Sequence, residues 1–411
     1  MRNPVFISIL LMVLIAIDFY IYQVLKHLLQ GSGAGIRTAV RLLYWTLCII
    51  CLGAILLFPY FTNPYFRQYI FSISMGWMIT QLVMALVFLI DDIRRGTFWA
   101  VGKISTASGA QFLNTENGIP RSTFLSWLGV GLASSLFISL IYGFGNKYNY
   151  RIVKKSISLK GLPAVFKGFK IIHISDIHSG SLQDKMAVQK GIDLIKAQNP
   201  DLVLFTGDLV NDRATEMQNW MDVFSQVKAP HGVFSTLGNH DYGDYVKWDT
   251  KEAKQQNLND LMQVHANLGW RLLMNENVKI EKEGAHFHLV GIENWSAKAR
   301  FPKYGKLEDA MSGINASLPV ILLSHDPSHW EAEVIPKYPE VQLMLSGHTH
   351  GMQFGLENPY FKWSPVQWVY KQWAGMYQTE KQQLYVNRGF GFLGYPGRVG
   401  ILPEITLIEL V

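Results

Sequence analysis

At 411 residues the chain is too long for one small domain and suits two regions. Its net charge of +6 lies in residues 1–150, where ten Lys/Arg face four Asp/Glu, whereas residues 151–411 carry 27 of each. A basic stripe on the folded part, the footprint of a nucleic-acid partner, is therefore not expected. The cysteines, Cys48 and Cys51, leave the rest of the chain without a disulfide framework.

Four apolar runs come first: Val5–Leu25, Leu42–Phe61, Tyr69–Ile90 and Phe124–Phe144. Each has about 20 residues, the length that crosses a bilayer core as a helix. Tyr20, Tyr22, Tyr60, Tyr65, Tyr69, Trp127 and Tyr142 sit near their ends, as interfacial aromatics do. Cys48 and Cys51 share one face of the second run and read as packed thiols. Asp18 is expected to pair within the bundle or lie near an interface, with Gln23 and Gln81 as further polar positions. Gly129 and Ala133 give the fourth run a small face for close helix packing. Residues 1–145 thus read as a four-span region, and 146–168 as a basic linker within an acid-free stretch from Arg121 to Lys170.

From Phe169 onward short apolar strands alternate with helical stretches. Strands are expected at Phe169–Ile174, Leu202–Phe205, Gly232–Leu237, Val320–Leu323, Val341–Leu345, Leu384–Asn387 and Ile405–Leu410. Helices are expected at Met186–Ala197, closed by Asn199-Pro200, and at Thr215–Val227. Asn277–Glu293 reads as a hairpin turning at Glu283-Gly284. This is an α/β plan, and such sheets place their sites beyond the carboxyl ends of the strands.

Five polar blocks fall there: Asp176-Ile177-His178, Gly207-Asp208, Gly238-Asn239-His240-Asp241, Ser324-His325-Asp326 and Ser346-Gly347-His348-Thr349-His350. Each alone is a turn, a cap or surface decoration. Together they offer carboxylate oxygen, amide oxygen and imidazole nitrogen, the donors that suit Mn, Fe, Zn or Mg. His27, His173, His231, His265, His286, His288 and His329 lie outside the blocks and are assigned to structure or surface.

These blocks resemble those of the calcineurin-like metallophosphoesterase superfamily, over roughly Phe169–Val411. The resemblance implies a β-sandwich flanked by helices, in four layers α/β/β/α, and two divalent metal ions. By that likeness Asp176, His178, Asp208 and His350 bind one ion. Asp208, Asn239, His325 and His348 bind the other, with Asp208 bridging. His240 protonates the leaving oxygen, supported by Asp241 or Asp212. Arg388 and Arg398, in a Gly-rich stretch after a strand, are candidates to orient a phosphate oxygen. The aromatic segment Tyr360–Tyr377 is expected to pack as a hairpin core, to line an apolar pocket or to rest on a membrane surface.

Asp18-Phe19-Tyr20 and Tyr22-Gln23 are similar to the membrane region of membrane-bound bacterial members of this superfamily, which implies a multi-pass inner-membrane protein. Pro120-Arg121-Ser122-Thr123-Phe124-Leu125 looks like a degraded twin-arginine export signal lacking its second arginine. Lys26, Arg37, Arg41, Arg94, Arg95, Lys103 and Arg121 fall on one side. Arg2 and Arg67 fall on the other once Lys147, Arg151, Lys154, Lys155 and Lys160 are counted with a translocated domain. That bias predicts an extracytoplasmic catalytic domain. The expected activity is metal-dependent hydrolysis of a phosphoester, phosphodiester or pyrophosphate, in a substrate linked to membrane lipid. The alternatives are a cytoplasmic-facing enzyme like the UDP-2,3-diacylglucosamine hydrolases of lipid A synthesis, and a non-catalytic membrane sensor or scaffold.

Overall fold

The computed structural model describes residues 4–107 and 121–411. Arg2 and Pro120, used above for the charge bias and the export-like segment, lie outside them. The described chain forms two compact units, one through Tyr142 and one from Gly143 to Val411.

The first unit holds four long helices, α1 (Pro4–Leu28), α2 (Ala34–Leu57), α3 (Pro64–Ala107) and α4 (Thr123–Gly143). All four are long and apolar enough to cross a membrane. Most of their large apolar side chains face outward, among them Val13, Leu42, Ile49, Leu82 and Leu132. Inside, Gln81 Nε2 donates to Asp18 Oδ1 at 2.7 Å and to the Tyr44 hydroxyl at 2.9 Å, so Asp18 pairs within the bundle. A Cβ on Gly129 would stand 2.7 Å from the Phe88 ring, which is why α4 can lie so close to α3 there. Arg121 pairs with Asp92 at 2.9 Å.

The second unit is built on two six-stranded sheets. The strands in chain order are β1 (Arg151–Ile157), β2 (Lys170–Ile174), β3 (Leu202–Phe205), β4 (Val233–Ser235), β5 (Arg271–Leu272), β6 (Glu276–Lys282) and β7 (Ala285–Gly291). They continue with β8 (Val320–Leu323), β9 (Val341–Ser346), β10 (Leu356–Glu357), β11 (Lys362–Trp363), β12 (Gly375–Gln378), β13 (Gln383–Val386) and β14 (Glu404–Leu410). One sheet runs β1-β14-β2-β3-β4-β5 and the other β12-β13-β9-β8-β7-β6, while β10 and β11 form a separate hairpin. Strands β2 to β5 are parallel, as are β7, β8, β9 and β13.

Period-two alternation explains the layers. Ile171, Leu202, Leu204, Leu323, Leu343, Tyr385 and Ile408 fill one core between the sheets. Ile172, Ile174, Val203 and Phe205 face the other way and pack under α5 (Lys185–Ala197), α6 (Met221–Phe224) and α7 (Lys251–Leu268). Val290, Leu322, Met344 and Trp330 make the matching outer core of the second sheet. This is the four-layer α/β/β/α plan.

Two local expectations are corrected. The supposed linker 146–168 contains β1, paired in parallel with β14 from Arg151↔Glu404 to Ile157↔Leu410. Thr215–Val227 is not one helix. The Glu216 carboxylate accepts from the main-chain N–H groups of Asn211, Asp212 and Arg213, which closes a single tight turn. The chain restarts after Trp220 (φ −119°) as the four-residue α6.

Candidate metal centre

Five strands from both sheets end on one rim. Asp176 and His178 follow β2, Asp208 follows β3, Asn239 and His240 follow β4, His325 follows β8, and His348 and His350 follow β9. Asp176, His178, Asp208, His348 and His350 all have φ between +48° and +72°. Such backbone costs about 1–3 kcal/mol per residue and persists only where the surroundings impose it. Here they do. Asp176 N–H donates to the Gly207 carbonyl at 2.9 Å, His178 N–H to Asp208 at 3.1 Å and Gly347 N–H to His325 at 3.0 Å. Gly347 and Gly238 permit the approach, because a Cβ would stand 2.1 Å from Asp176 Oδ2 and 2.2 Å from Asp208 Oδ1 respectively.

The turns bring two donor groups together. Asp176, His178 and His350 offer donor atoms within 4.8 Å of one another, and so do Asp208, His325 and His348. Asp208 Oδ2 reaches both groups, 3.5 Å from His178 Nε2 and 3.2 Å from His325 Nε2. The Nε2 atoms of His178 and His350 and the Asn239 Oδ1 are buried without a hydrogen-bond partner. Orphaned buried acceptors of this kind are rare in native proteins. Carboxylate, imidazole and amide oxygen are also the right donor chemistry for divalent ions. The residues therefore fit a metal.

Supporting contacts fix how each ring is presented. His325 Nδ1 lies 2.7 Å from the Thr206 carbonyl, which can only accept. That nitrogen carries the proton, and Nε2 faces Asp208. Tyr370 donates to Asp326 Oδ2 at 3.1 Å, so its oxygen accepts from His348 Nε2 at 2.8 Å, leaving His348 Nδ1 3.2 Å from His325 Nε2. The His348 N–H donates to both oxygens of Asp176 at 2.9 and 3.0 Å, tying the last block to the first.

Burial lowers His178 to about 3, His348 to about 4 and His350 well below its usual range. They stay neutral at pH 7, the form that binds metal. Burial also raises Asp176 to about 6, with Asp208 adding to the rise. Burial would raise Asp208 and lower His325, but their mutual attraction reverses both. Asp208 falls well below its ordinary value and His325 rises to about 10. A cation held here by Asp208 and His325 would displace that proton.

His240 lines the same cavity. Its Nδ1 is 2.8 Å from the Asn211 carbonyl, so the proton sits on Nδ1 and Nε2 remains available. Of the two carboxylates expected beside it, Asp241 is engaged elsewhere. It accepts from the N–H groups of Asp208, Leu209, Val210 and Gly238 and so organises the turns. Asp212 is the carboxylate that feels His240. Burial raises it to about 6 while the His240 charge pulls it down.

The arginines expected at a phosphate are corrected by their surroundings. Arg388 is 7 % exposed and pairs with Glu357 and Glu404. Arg398 is fully buried and donates to the carbonyls of His350, Arg388, Gly389 and Gly391. Both brace the Gly-rich stretch. The sequence blocks did not point to Tyr245, Asn211 or Arg300, which no local pattern distinguishes, and Tyr370 entered only as part of the aromatic segment expected to line a pocket.

The donors open into a cavity of about 770 Å³. His178, Asp208, Asn239, His240, His348 and His350 form its polar part. Met352, Val366, Trp368, Val369 and Leu393 form an apolar wall, where Trp368 is 74 % exposed. The segment from 360 to 377 therefore divides. Tyr370 and Trp373 are packed inward, and Tyr360, at 97 % exposure, points to solvent.

Comparison with known proteins agrees with this architecture. A family model described as calcineurin-like phosphoesterase matches residues 169–352, and one described as probable calcineurin-like phosphoesterase, transmembrane domain, matches residues 1–146. The chain belongs to the calcineurin-like phosphoesterase family, as a membrane member with a metal-dependent phosphoesterase domain. It is 33% identical over 254 residues to the uncharacterized metallophosphoesterase YkuE of Bacillus subtilis, covering 61% of this chain and 81% of that protein. A transmembrane protein with metallophosphoesterase domain from Danio rerio is 26% identical over 359 residues, 85% of this chain and 75% of the relative. The UDP-2,3-diacylglucosamine pyrophosphatase LpxG of Chlamydia muridarum is 27% identical over 60% of this chain and 82% of its own length.

Proposed function

We propose that the protein is a dinuclear-metal hydrolase of a phosphoester, phosphodiester or pyrophosphate bond in a lipid-linked substrate. In this reading Asp176, His178, Asp208 and His350 hold one ion and Asp208, Asn239, His325 and His348 the other, each being Mn, Fe, Zn or Mg. The observation that carries it is the cavity in which these donors meet the apolar wall of Met352, Val366, Trp368, Val369 and Leu393. Bound divalent ions supply Lewis acidity toward a phosphoryl oxygen and make water a nucleophile near neutral pH. The chain's own residues do the rest. His240, its Nδ1–H held by the Asn211 carbonyl, acts as the imidazolium and gives the second proton, on Nε2, to the leaving oxygen, a contribution of about 10²–10⁴-fold for a positioned acid. The apolar wall accepts the lipid portion and keeps bulk water from one side.

The test uses full-length protein stripped with a chelator and reloaded with single metals. It is assayed on phospholipids, polyprenyl phosphates, nucleotide-lipids and soluble phosphodiesters. Hydrolysis is expected only after reloading, with kcat/KM at least about 10-fold higher when an acyl or prenyl chain is present, since each buried CH₂ contributes roughly 0.8 kcal/mol. Efficient turnover of soluble diesters and none of any lipid removes the lipid-linked half. A cellular phenotype that survives Asp208→Ala favours the sensor or scaffold reading.

The Chlamydia relative's name supports a second reading, a pyrophosphatase of a nucleotide-linked acylated sugar, which goes with the alternative of a cytoplasmic-facing enzyme. The Lys/Arg bias supports an extracytoplasmic catalytic domain in the inner membrane instead. Reporters fused after Val411 separate these. A fusion active only in the cytoplasm overturns the extracytoplasmic placement.

A further inference from the structure

One cation of the cavity belongs to none of the metal-binding blocks. Arg300 lines the cavity and, among the described residues, is the only Lys or Arg to do so. It is exposed, and no ion pair or hydrogen bond among the described residues takes up its guanidinium. Its guanidinium carbon stands 4.6 Å from the centre of the Phe301 ring. That ring in turn meets the His348 ring edge-on at 4.9 Å. The positive charge acts on the hydroxyls of Tyr245 and Tyr370, the two phenols bonded to Asn239 and His348. Arg300 therefore flanks the Asn239–His348 side of the centre, one aromatic ring beyond the donor atoms.

A phosphoryl group undergoing attack must sit against the donor atoms themselves. A guanidinium one ring further out meets what is attached to that group. Its planar fork matches two oxygens of a phosphoryl better than any neutral alcohol. We propose that Arg300 is a specificity-determining residue that binds a second phosphoryl group, so that the site takes pyrophosphate-linked substrates in preference to phosphomonoesters and simple diesters. This rests on the phosphoesterase reading above and narrows it. In the reaction, water adds to the phosphorus seated against the donor residues and the bridging P–O bond breaks. The bridging oxygen leaves on the second phosphoryl, whose growing negative charge Arg300 offsets. The attacked phosphorus keeps the water oxygen with one proton as P–OH, and the other proton goes to the leaving phosphate or to solvent, so that atoms and charge balance.

The experiment compares wild type with Arg300→Gln and Arg300→Lys, as full-length metal-loaded protein. Substrates are UDP-glucose and bis(p-nitrophenyl) phosphate, and inhibitors are inorganic pyrophosphate and orthophosphate. In Arg300→Gln the ratio of kcat/KM on UDP-glucose to that on the diester is expected to fall about 10–100-fold, the range for losing a charge-assisted contact. Arg300→Lys should lie between, because it keeps the charge and loses the fork. Pyrophosphate should inhibit wild type more tightly than orthophosphate, and Arg300→Gln should lose most of that difference. An unchanged ratio, whether both activities persist or both fall equally, overturns the assignment of Arg300 alone. A wild-type protein that cleaves neither substrate, nor any of the phospholipids, polyprenyl phosphates and nucleotide-lipids above, with any metal overturns the phosphoesterase reading and this inference with it.

Discussion

Asp241 shows how one side chain holds several blocks in place. Its Oδ2 accepts from Asp208 N–H and Gly238 N–H, both at 2.8 Å, and its Oδ1 from Leu209 N–H at 2.8 Å and Val210 N–H at 3.2 Å. Asp241→Asn keeps the shape but turns an NH₂ toward two N–H donors. Leaving two buried donors unpaired costs about 2–6 kcal/mol. The catalytic unit should therefore melt at clearly lower temperature and bind metal less tightly, as read by thermal unfolding and metal content of the purified protein. A variant that keeps wild-type Tm denies Asp241 this role. The donors themselves were legible, because carboxylates and imidazoles after apolar strands form a pattern in one dimension. Asn211 and Tyr245 were not, and Tyr370 only as one ring of the aromatic segment, without its bond to His348. A carbonyl that fixes an imidazole tautomer and a phenol that holds its far nitrogen are set by tertiary proximity, not by residue spacing. Arg388 and Arg398 misled for a related reason, since a guanidinium near glycines serves a phosphate or a carbonyl cage equally well.

Among the elements, those whose residues are buried on both faces were readable, and Leu202–Phe205 and Val320–Leu323 fall where the apolar runs end. The edge strand β1 was hidden by its own protection. Arg151 and Lys154 are exposed, the charge that keeps an edge from pairing with other chains, and charge reads as linker. Helix α7 buries only Asn257, Leu261, His265 and Leu268, a stripe too narrow and polar to announce itself. On that stripe, burial lowers His265 to about 3, and its Nδ1 lies 3.0 Å from Ser235 Oγ. The sign of the linkage follows from this depression. Above pH 6.5 neither state takes up a proton at His265, and its neutral burial carries no penalty. As pH falls below 6.5 the unfolded chain binds a proton that the folded chain refuses until about 3. Stability is therefore lost across that window at up to about 1.4 kcal/mol per pH unit for this group. Urea midpoints of full-length protein taken from pH 7 to pH 4 should fall less steeply in His265→Leu than in wild type. Equal slopes would show that His265 is protonated without unfolding.

For the molecule as a whole, the membrane region was legible as four spans but not as a packed object. Length and hydropathy set where each helix runs, whereas the partners of its few polar side chains depend on rotation about each axis. Three helices meet at one point: Asp18 of α1 and Tyr44 of α2 both bond to Gln81 of α3, and Tyr44 also donates to the Asp18 carbonyl at 2.9 Å. Asp18 and Gln81 are 5 % and 2 % exposed. In hydrocarbon an unpaired carboxylate has no water to turn to, so removing its donor is costlier than removing the pair. Gln81→Leu should therefore destabilise the helical region by about 1–2 kcal/mol or more, the scale of interhelical hydrogen bonds in membranes. Asp18→Leu combined with Gln81→Leu should recover part of that loss. The measurement is a double-mutant cycle on full-length protein, read as thermal or denaturant-induced loss of helicity in one detergent. Strict additivity of the two substitutions would mean that Asp18 and Gln81 do not act as a pair, and that the bundle is held by its apolar contacts and the close Gly129–Phe88 packing alone.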